Sequence, residues 1–285
     1  MPGQSSPLKS KDGFMRRIFR VLLPIIISYV LLVLAVMIFQ RRLLYVPTRI
    51  PADSIEQAAA EHGFVPWKNP GGQIIGWKIP ASGTATGSVL IVHGNGGSAT
   101  GRDYLAQPIH EAAGVDVFIL EYPGYGARAG SPGKRSIDAA AEEAFQLLPA
   151  GLPKYVVSES LGTGVAGDLA EHHPQAIAGL ALIAPYHDLA SVAQKRFWFL
   201  PSYFFLFDRF DPAASLKNYH GPVKILIAGA DQIISPKSGQ RLFDEYAGPK
   251  TLQVIPGAQH NEVAAQSPEW WRETFAFWQQ NKNPR

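Results

Sequence analysis

A chain of 285 residues is long for one hydrophobic core and short for two, so length alone leaves the domain count open. Its residues are 46% hydrophobic and 17% charged, a globular composition that excludes a disordered chain, and the lack of any cysteine excludes disulfides, thiolate metal sites and a cysteine nucleophile. The formal charge of +3 misleads: residues 1–50 hold eight of the 26 Lys and Arg and one of the 23 acids, Asp12, so 18 bases meet 22 acids over the remainder. A mildly acidic body lacks the basic face that a nucleic-acid partner needs.

In chain order, a basic tail (1–20) leads into VLLPIIISYVLLVLAVMIFQ (21–40), twenty residues without a charge. At about 1.5 Å per residue, a helix of that length reaches roughly 30 Å, the thickness of a hydrocarbon core. Pro24 falls near the start of the run, where it costs a helix least. The run exceeds the ~7–15 apolar residues of a cleaved signal, and AVMIFQRRLLYVP offers no A-x-A-like cleavage site. An uncleaved transmembrane signal anchor is the expectation. Five bases (Lys9, Lys11, Arg16, Arg17, Arg20) precede it and three (Arg41, Arg42, Arg49) follow, so the positive-inside rule favours a cytoplasmic N-terminus and an exported body, residues 41–285.

From residue 65 onward, strand-like and helix-like segments alternate. GGQIIGWKIP, SVLIVHG, VDVFILEYPGYG, KYVVSES, AGLALIAP, VKILIAGAD and KTLQVIPG read as strands. Helices are expected over 103–113, 137–148, 161–172, 237–246 and 268–280. The runs VLIV, VFIL, LALI and ILIA are apolar throughout, as befits strands covered on both faces. Strands separated by helices imply right-handed crossovers and a mostly parallel central sheet flanked by helices, in one α/β domain without internal repeats.

VVSESLGTG (156–164) joins an apolar strand to a glycine-rich helix. A nucleophilic serine at so sharp a turn needs small residues two positions before and after it, or their side chains collide with neighbouring elements; hence the pattern G-x-S-x-G. Gly162 fills the later position and Ser158 replaces the earlier glycine, which makes Ser160 the nucleophile. Serine then needs a base, and the base an orienting acid. His260, in VIPGAQHNEV, follows the last strand directly, at the carboxyl edge where ligands bind in such sheets. Asp231, in ILIAGADQIISP, also follows a strand; Asp188, Asp208 and Asp211 compete with it. His172 and His173 end a helix before Pro174, a common place for solvated histidines.

HGNGGS (93–98) follows the strand SVLIV. Its glycines let the backbone approach an oxyanion, and the donors expected there are the N–H groups of Leu161 and Asn95. It holds neither G-x-G-x-x-G nor a Walker lysine, which argues against a nucleotide. His93 is expected to bond locally and order the turn.

Taken together, HGNGGS, EYPGYGARAGSP, SESLGTG, GADQIISP and GAQH resemble the α/β-hydrolase superfamily over about residues 70–275. Within it they look like the single-pass, membrane-anchored serine hydrolases related to acyl-protein thioesterases and prolyl-oligopeptidase-like enzymes, with QRRLLYVPTR resembling the juxtamembrane segment of that group. The departure is Ser158, where the family usually has glycine. The resemblance implies an α/β-hydrolase fold and the chain order Ser160, Asp231, His260 for the catalytic residues, with no metal or organic cofactor.

Between Tyr186 and Tyr219 the alternation breaks, and KRFWFLPSYFFLFDRFDP is dense in aromatics. A small helical cap inserted over about 186–220 is expected. Its aromatics pack on the domain, or line an acyl pocket above Ser160 with Trp198 and Phe204 as wall residues, or dock on the bilayer beside the anchor. The expected activity is cleavage of carboxylic esters or thioesters of small acyl substrates through an acyl-enzyme. The alternatives are a peptidase or amidase with the same residues, or a catalytically silent membrane-anchored binding protein.

Overall fold

Apolar side chains occupy every face of the run from Val21 to Phe39, so a helix formed there has no side suited to water. The computed structural model describes residues 9–282, with side chains from Phe14 onward. In it Lys9–Leu44 form one helix, α1, and its segment Phe14–Leu44 is long and apolar enough to cross a membrane, an 18-residue stretch of it reaching a mean hydropathy of 3.0. Residues 9–20, expected as a separate basic tail, are the first turns of this same helix; residues 1–8 lie outside the described residues. Pro24 sits inside the helix rather than near its start. The chain divides between Leu43 and Leu44 into two compact units, and everything below belongs to the second.

That unit runs β1 (Val46–Pro47), α2 (Ile55–Glu61), β2 (Val65–Lys68), β3 (Ile74–Ile79), β4 (Ser88–Val92), β5 (Gly96–Gly97), α3 (Asp103–Ala112), β6 (Asp116–Leu120), α4 (Lys134–Gln146), β7 (Lys154–Glu159) and α5 (Gly162–His172). It continues with β8 (Ile177–Ile183), the short cap helices α6 (Leu189–Arg196), α7 (Ser202–Phe205) and α8 (Pro212–Ser215), then β9 (Val223–Ala228), α9 (Pro236–Glu245), β10 (Lys250–Ile255) and α10 (Pro268–Gln280).

Eight strands form the central sheet in the order β10-β9-β8-β7-β4-β6-β3-β2. The first six are parallel, while β3 runs antiparallel to β6 and β2 antiparallel to β3. Successive side chains of a strand point to opposite faces, so a continuously apolar strand feeds two cores. Leu90 and Val92 of β4 join one cluster with Val156, Leu180 and Leu182, under α4 and α5. Val89 and Ile91 join the other with Val157, Ala181 and Ile183, under α3 and α10. In α10, Trp270, Trp271, Phe275 and Trp278 fall three or four residues apart or adjacent, and all four are buried against that second face. The small pair β1–β5, which periodicity does not reveal, lies apart from the main sheet and joins the residues after α1 to the glycine loop after β4.

Candidate active site

Ser160 occupies the turn from β7 into α5 with φ +51°, one of two non-glycine residues with positive φ among those described. Such a conformation is strained for an L side chain and holds only where its surroundings dictate it. Here the Ser160 N–H donates to the Ile183 carbonyl and its carbonyl accepts from the Thr163 N–H, both at 2.9 Å. Gly162 opens α5 so close to β4 that a Cβ would run into the Val92 carbonyl oxygen. Ser158, two positions before Ser160, is fully buried between Val92 and Leu182, and its hydroxyl donates to the Ala181 carbonyl at 3.3 Å. The serine therefore fits the position usually held by glycine, and the turn is intact.

Parallel pairing continues past the ends of β9 and β10. The Gly229 N–H donates to the Ile255 carbonyl and the Ala230 N–H to the Ala258 carbonyl, each at 2.9 Å, which draws the loops bearing Asp231 and His260 together. Asp231 Oδ1 accepts from the N–H groups of Ile233 and Ile234, both at 2.8 Å, so the carboxylate cannot rotate freely. Its Oδ2 lies 2.6 Å from His260 Nδ1, and His260 Nε2 lies 2.9 Å from Ser160 Oγ. A carboxylate only accepts, so Nδ1 carries the proton and Nε2 accepts from the serine hydroxyl. Asp231 and His260 are 8% and 9% exposed, and the low local dielectric strengthens both bonds.

The competing groups have other partners. Asp188 caps α6 by accepting from the Ser191 N–H, Asp211 caps α8 through the Ala214 N–H, and Asp208 accepts from the Tyr45 hydroxyl at 3.0 Å. His172 Nδ1 bonds the Asp168 carbonyl, and His173 lies 2.8 Å from Glu142. His93 Nδ1 donates to the Gly94 carbonyl at 2.8 Å in a fully buried position, as a turn-ordering histidine would.

The loop after β4 is held from several sides. The Tyr122 hydroxyl donates to the His93 carbonyl at 2.9 Å and the Tyr125 hydroxyl to the Asn95 carbonyl at 2.8 Å. Burial raises the pKa of both phenols, so both remain donors. Arg102 Nη2 donates to the Gly96 carbonyl, and the Val46 N–H donates to Asn95 Oδ1 at 3.2 Å. Among the described residues, neither the Asn95 nor the Leu161 backbone N–H has an acceptor, which leaves both available to an oxyanion.

Sequence reasoning misses a buried polar network behind this loop. Glu159, immediately before Ser160, accepts from the Tyr104 hydroxyl at 2.9 and 3.0 Å, and Arg102 Nη1 donates to that hydroxyl at 3.0 Å. Arg102 thus links Glu159 to the Gly96 end of the loop. The only signal in the chain was a carboxylate beside Ser160 at the end of a strand with an apolar middle.

Trp198 and Phe204, expected as pocket walls, are 79% and 73% exposed. Their rings meet those of Phe199 and Tyr203 edge-on, and side chains of the segment bond its own carbonyls, Gln194 those of Trp198 and Leu200 and Arg209 those of Tyr203 and Phe204. A wall that seals an acyl chain from water is itself covered; these two rings are not. Among the described residues, no group of three or more His, Asp or Glu is arranged to hold a metal ion.

Residues 87–214 match the family model described as the alpha/beta hydrolase fold. An uncharacterized protein of Mycobacterium tuberculosis is 32% identical over 253 residues, covering 84% of this chain and 88% of that protein. The chain belongs to the α/β-hydrolase fold family. The lysophosphatidylserine lipase ABHD12 of Macaca fascicularis is 29% identical over 237 residues, and the match spans 71% of this α/β-hydrolase but only 58% of the lipase. Among solved structures, Est1E from Butyrivibrio proteoclasticus superposes with a TM-score of 0.61 at 14% identity, over 72% of this chain and 95% of that one. An esterase of Pyrococcus furiosus does so with a TM-score of 0.60 at 16% identity, over 84% and 98%. At such identities these two establish the α/β-hydrolase fold and nothing finer.

Proposed function

We propose that the chain is a serine hydrolase of carboxylic esters, tethered to a membrane by α1. The observation that carries this reading is the continuous relay from Ser160 Oγ through His260 to Asp231, at 2.9 and 2.6 Å, on a turn whose serine has φ +51°. In the proposed reaction His260 Nε2 takes the Ser160 proton as Oγ attacks the ester carbonyl. Asp231 keeps the imidazole in the right tautomer and stabilises the imidazolium. The N–H groups of Leu161 and Asn95 donate to the oxyanion of the tetrahedral intermediate, a few kcal/mol of transition-state stabilisation. His260 then protonates the departing alkoxide, and water, activated by the same imidazole, releases the acyl group from Ser160.

The relative named as a lysophosphatidylserine lipase favours an acyl ester of an amphipathic lipid over a peptide bond. The intact turn around Ser158 counts against a silent binding protein. The uncharged span of α1 and the motif QRRLLYVPTR favour the single-pass, membrane-anchored group of serine hydrolases, with a cytoplasmic N-terminus and an exported body.

Fluorophosphonate labelling together with p-nitrophenyl ester hydrolysis tests the reading. Both are expected in the wild type and absent in Ser160→Ala; labelling that persists in Ser160→Ala would overturn the assignment.

A further inference from the structure

The aromatic segment between α6 and α8 is neither core nor pocket wall. Trp198 is 79% exposed, Phe204 73% and Tyr203 45%, and Phe199, Phe205 and Phe207 beside them are exposed as well. Soluble surfaces carry scattered apolar side chains, but a contiguous aromatic patch marks a surface that meets something other than water. Its charge identifies the partner. Lys195, Arg196 and Arg209 are exposed within the same stretch, while of its two acids Asp208 is buried and accepts from Tyr45 and Asp211, exposed at its far end beyond Arg209, is committed to the cap of α8. Aromatic rings flanked by cations, with no exposed acid between them, are complementary to an anionic lipid surface: the rings enter the headgroup region and the cations meet the phosphates.

The same hydrogen bond supplies a second argument. Tyr45 is the residue that follows α1 in the chain, it is 3% exposed, and its hydroxyl holds Asp208 at 3.0 Å. The aromatic segment is thereby fastened to the point where the chain leaves its apolar helix. Burial and the adjacent Asp208 both raise the Tyr45 pKa, so this donor stays protonated.

Resting on the reading of α1 as a membrane span, we propose that the 197–207 aromatic face docks into the headgroup layer of the same bilayer, with Trp198 and Phe204 as its wedge. The partner is a lipid surface rather than a second copy of the chain.

Tryptophan content makes the test direct. Trp67, Trp77, Trp270, Trp271 and Trp278 are each 6% exposed or less, α1 contains no tryptophan, and Trp198 is the one exposed indole. The full chain is reconstituted into bilayers of phosphatidylcholine and phosphatidylglycerol, with and without bromine on the upper part of the acyl chains. Bromolipid is expected to remove most of the emission that distinguishes the wild type from Trp198→Phe, and to leave the emission of Trp198→Phe unchanged. Protein that resists carbonate extraction while Trp198 stays unquenched and open to aqueous iodide would overturn docking and leave the span reading standing. Trp198 unquenched but shielded from iodide would point to a protein partner and overturn it equally. Release by carbonate would overturn the span reading and this proposal with it.

Discussion

The backbone N–H of Val46 donates to Asn95 Oδ1 at 3.2 Å, so the first strand after the N-terminal helix grips the loop that carries a proposed oxyanion donor. Pairing of Val46 and Pro47 with Gly96 and Gly97 extends the grip, and the Thr48 N–H donates to the Gly97 carbonyl at 2.8 Å. Glycines make this loop pliable, and Gly97 has φ +88°, so its shape depends on what surrounds it. Oxyanion donors act only when aimed where charge develops, and small misplacements are costly. Val46→Pro removes the donated N–H and is expected to lower kcat on the order of 10- to 100-fold with KM little changed. Val46→Ala, which keeps it, should behave as wild type. A trifluoromethyl ketone, which forms a tetrahedral adduct, should lose affinity in parallel with kcat. A loss confined to thermal stability would show that the strand only braces the fold.

The two small positions around Ser160 are unequal. A Cβ at Gly162 meets backbone, the Val92 carbonyl, which cannot move without disturbing β4. Gly162→Ala should destabilise by about 1–3 kcal/mol and lower the rate of labelling of Ser160. Ser158→Gly should leave activity equal to wild type or higher. It forfeits one 3.3 Å hydrogen bond and places glycine in a central strand, for a stability loss of about 1 kcal/mol. Melting curves and labelling rates of the two variants check both halves.

Why was so much of the site legible in the sequence, and the surface so little? Ser160, Asp231 and His260 each follow an apolar run, and parallel strands deliver their carboxyl ends to one edge of a sheet, so locating the strands locates the residues. Helices bounded by clear signals also agree closely: 268–280 was expected, and Pro268–Gln280 forms behind the Ser267 cap. The outermost strand β2 is different, because VPWK is too short to stand out from its surroundings. The β1–β5 pair has two residues per strand, below what periodicity can detect. For Trp198 and Phe204, aromatic density signals apolar surface but not which neighbour covers it.

Away from the site, one carboxyl is expected to make stability depend on pH. Asp138, on α4, lies beside Asp168 of α5 in the wall of a cavity of about 250 Å³, with Lys134 bonded to both. Burial pushes its pKa up to about 6 despite the lysine. A carboxyl whose folded pKa is raised prefers its neutral form in the fold. Its contribution is fully present below the unfolded value near 3.9 and is lost as pH rises through about 6. Asp138→Asn cannot ionise and so should gain stability relative to wild type as pH rises from about 4 to 7. Denaturant melts of both proteins at three pH values measure this. A constant difference across that range would refute it.

The last test concerns Asp231. Its Oδ1 is held by two backbone N–H groups, so an asparagine placed there keeps its carbonyl oxygen on Ile233 and Ile234 and turns its amide nitrogen toward His260. Two donors cannot face each other, so the imidazole must move its proton to Nε2, the nitrogen that accepts from Ser160 in the wild type. A serine facing a donor has no base. Asp231→Asn should therefore fold with near-native stability yet lose on the order of 10⁴-fold in kcat, with KM nearly unchanged. Activity should recover partly at high pH, where hydroxide replaces the missing base. An Asp231→Asn protein with kcat within tenfold of wild type would show that Asp231 does not orient His260. Among the described residues the rivals Asp188, Asp208 and Asp211 are committed elsewhere, to the caps of α6 and α8 and to Tyr45, so that outcome would remove the relay itself.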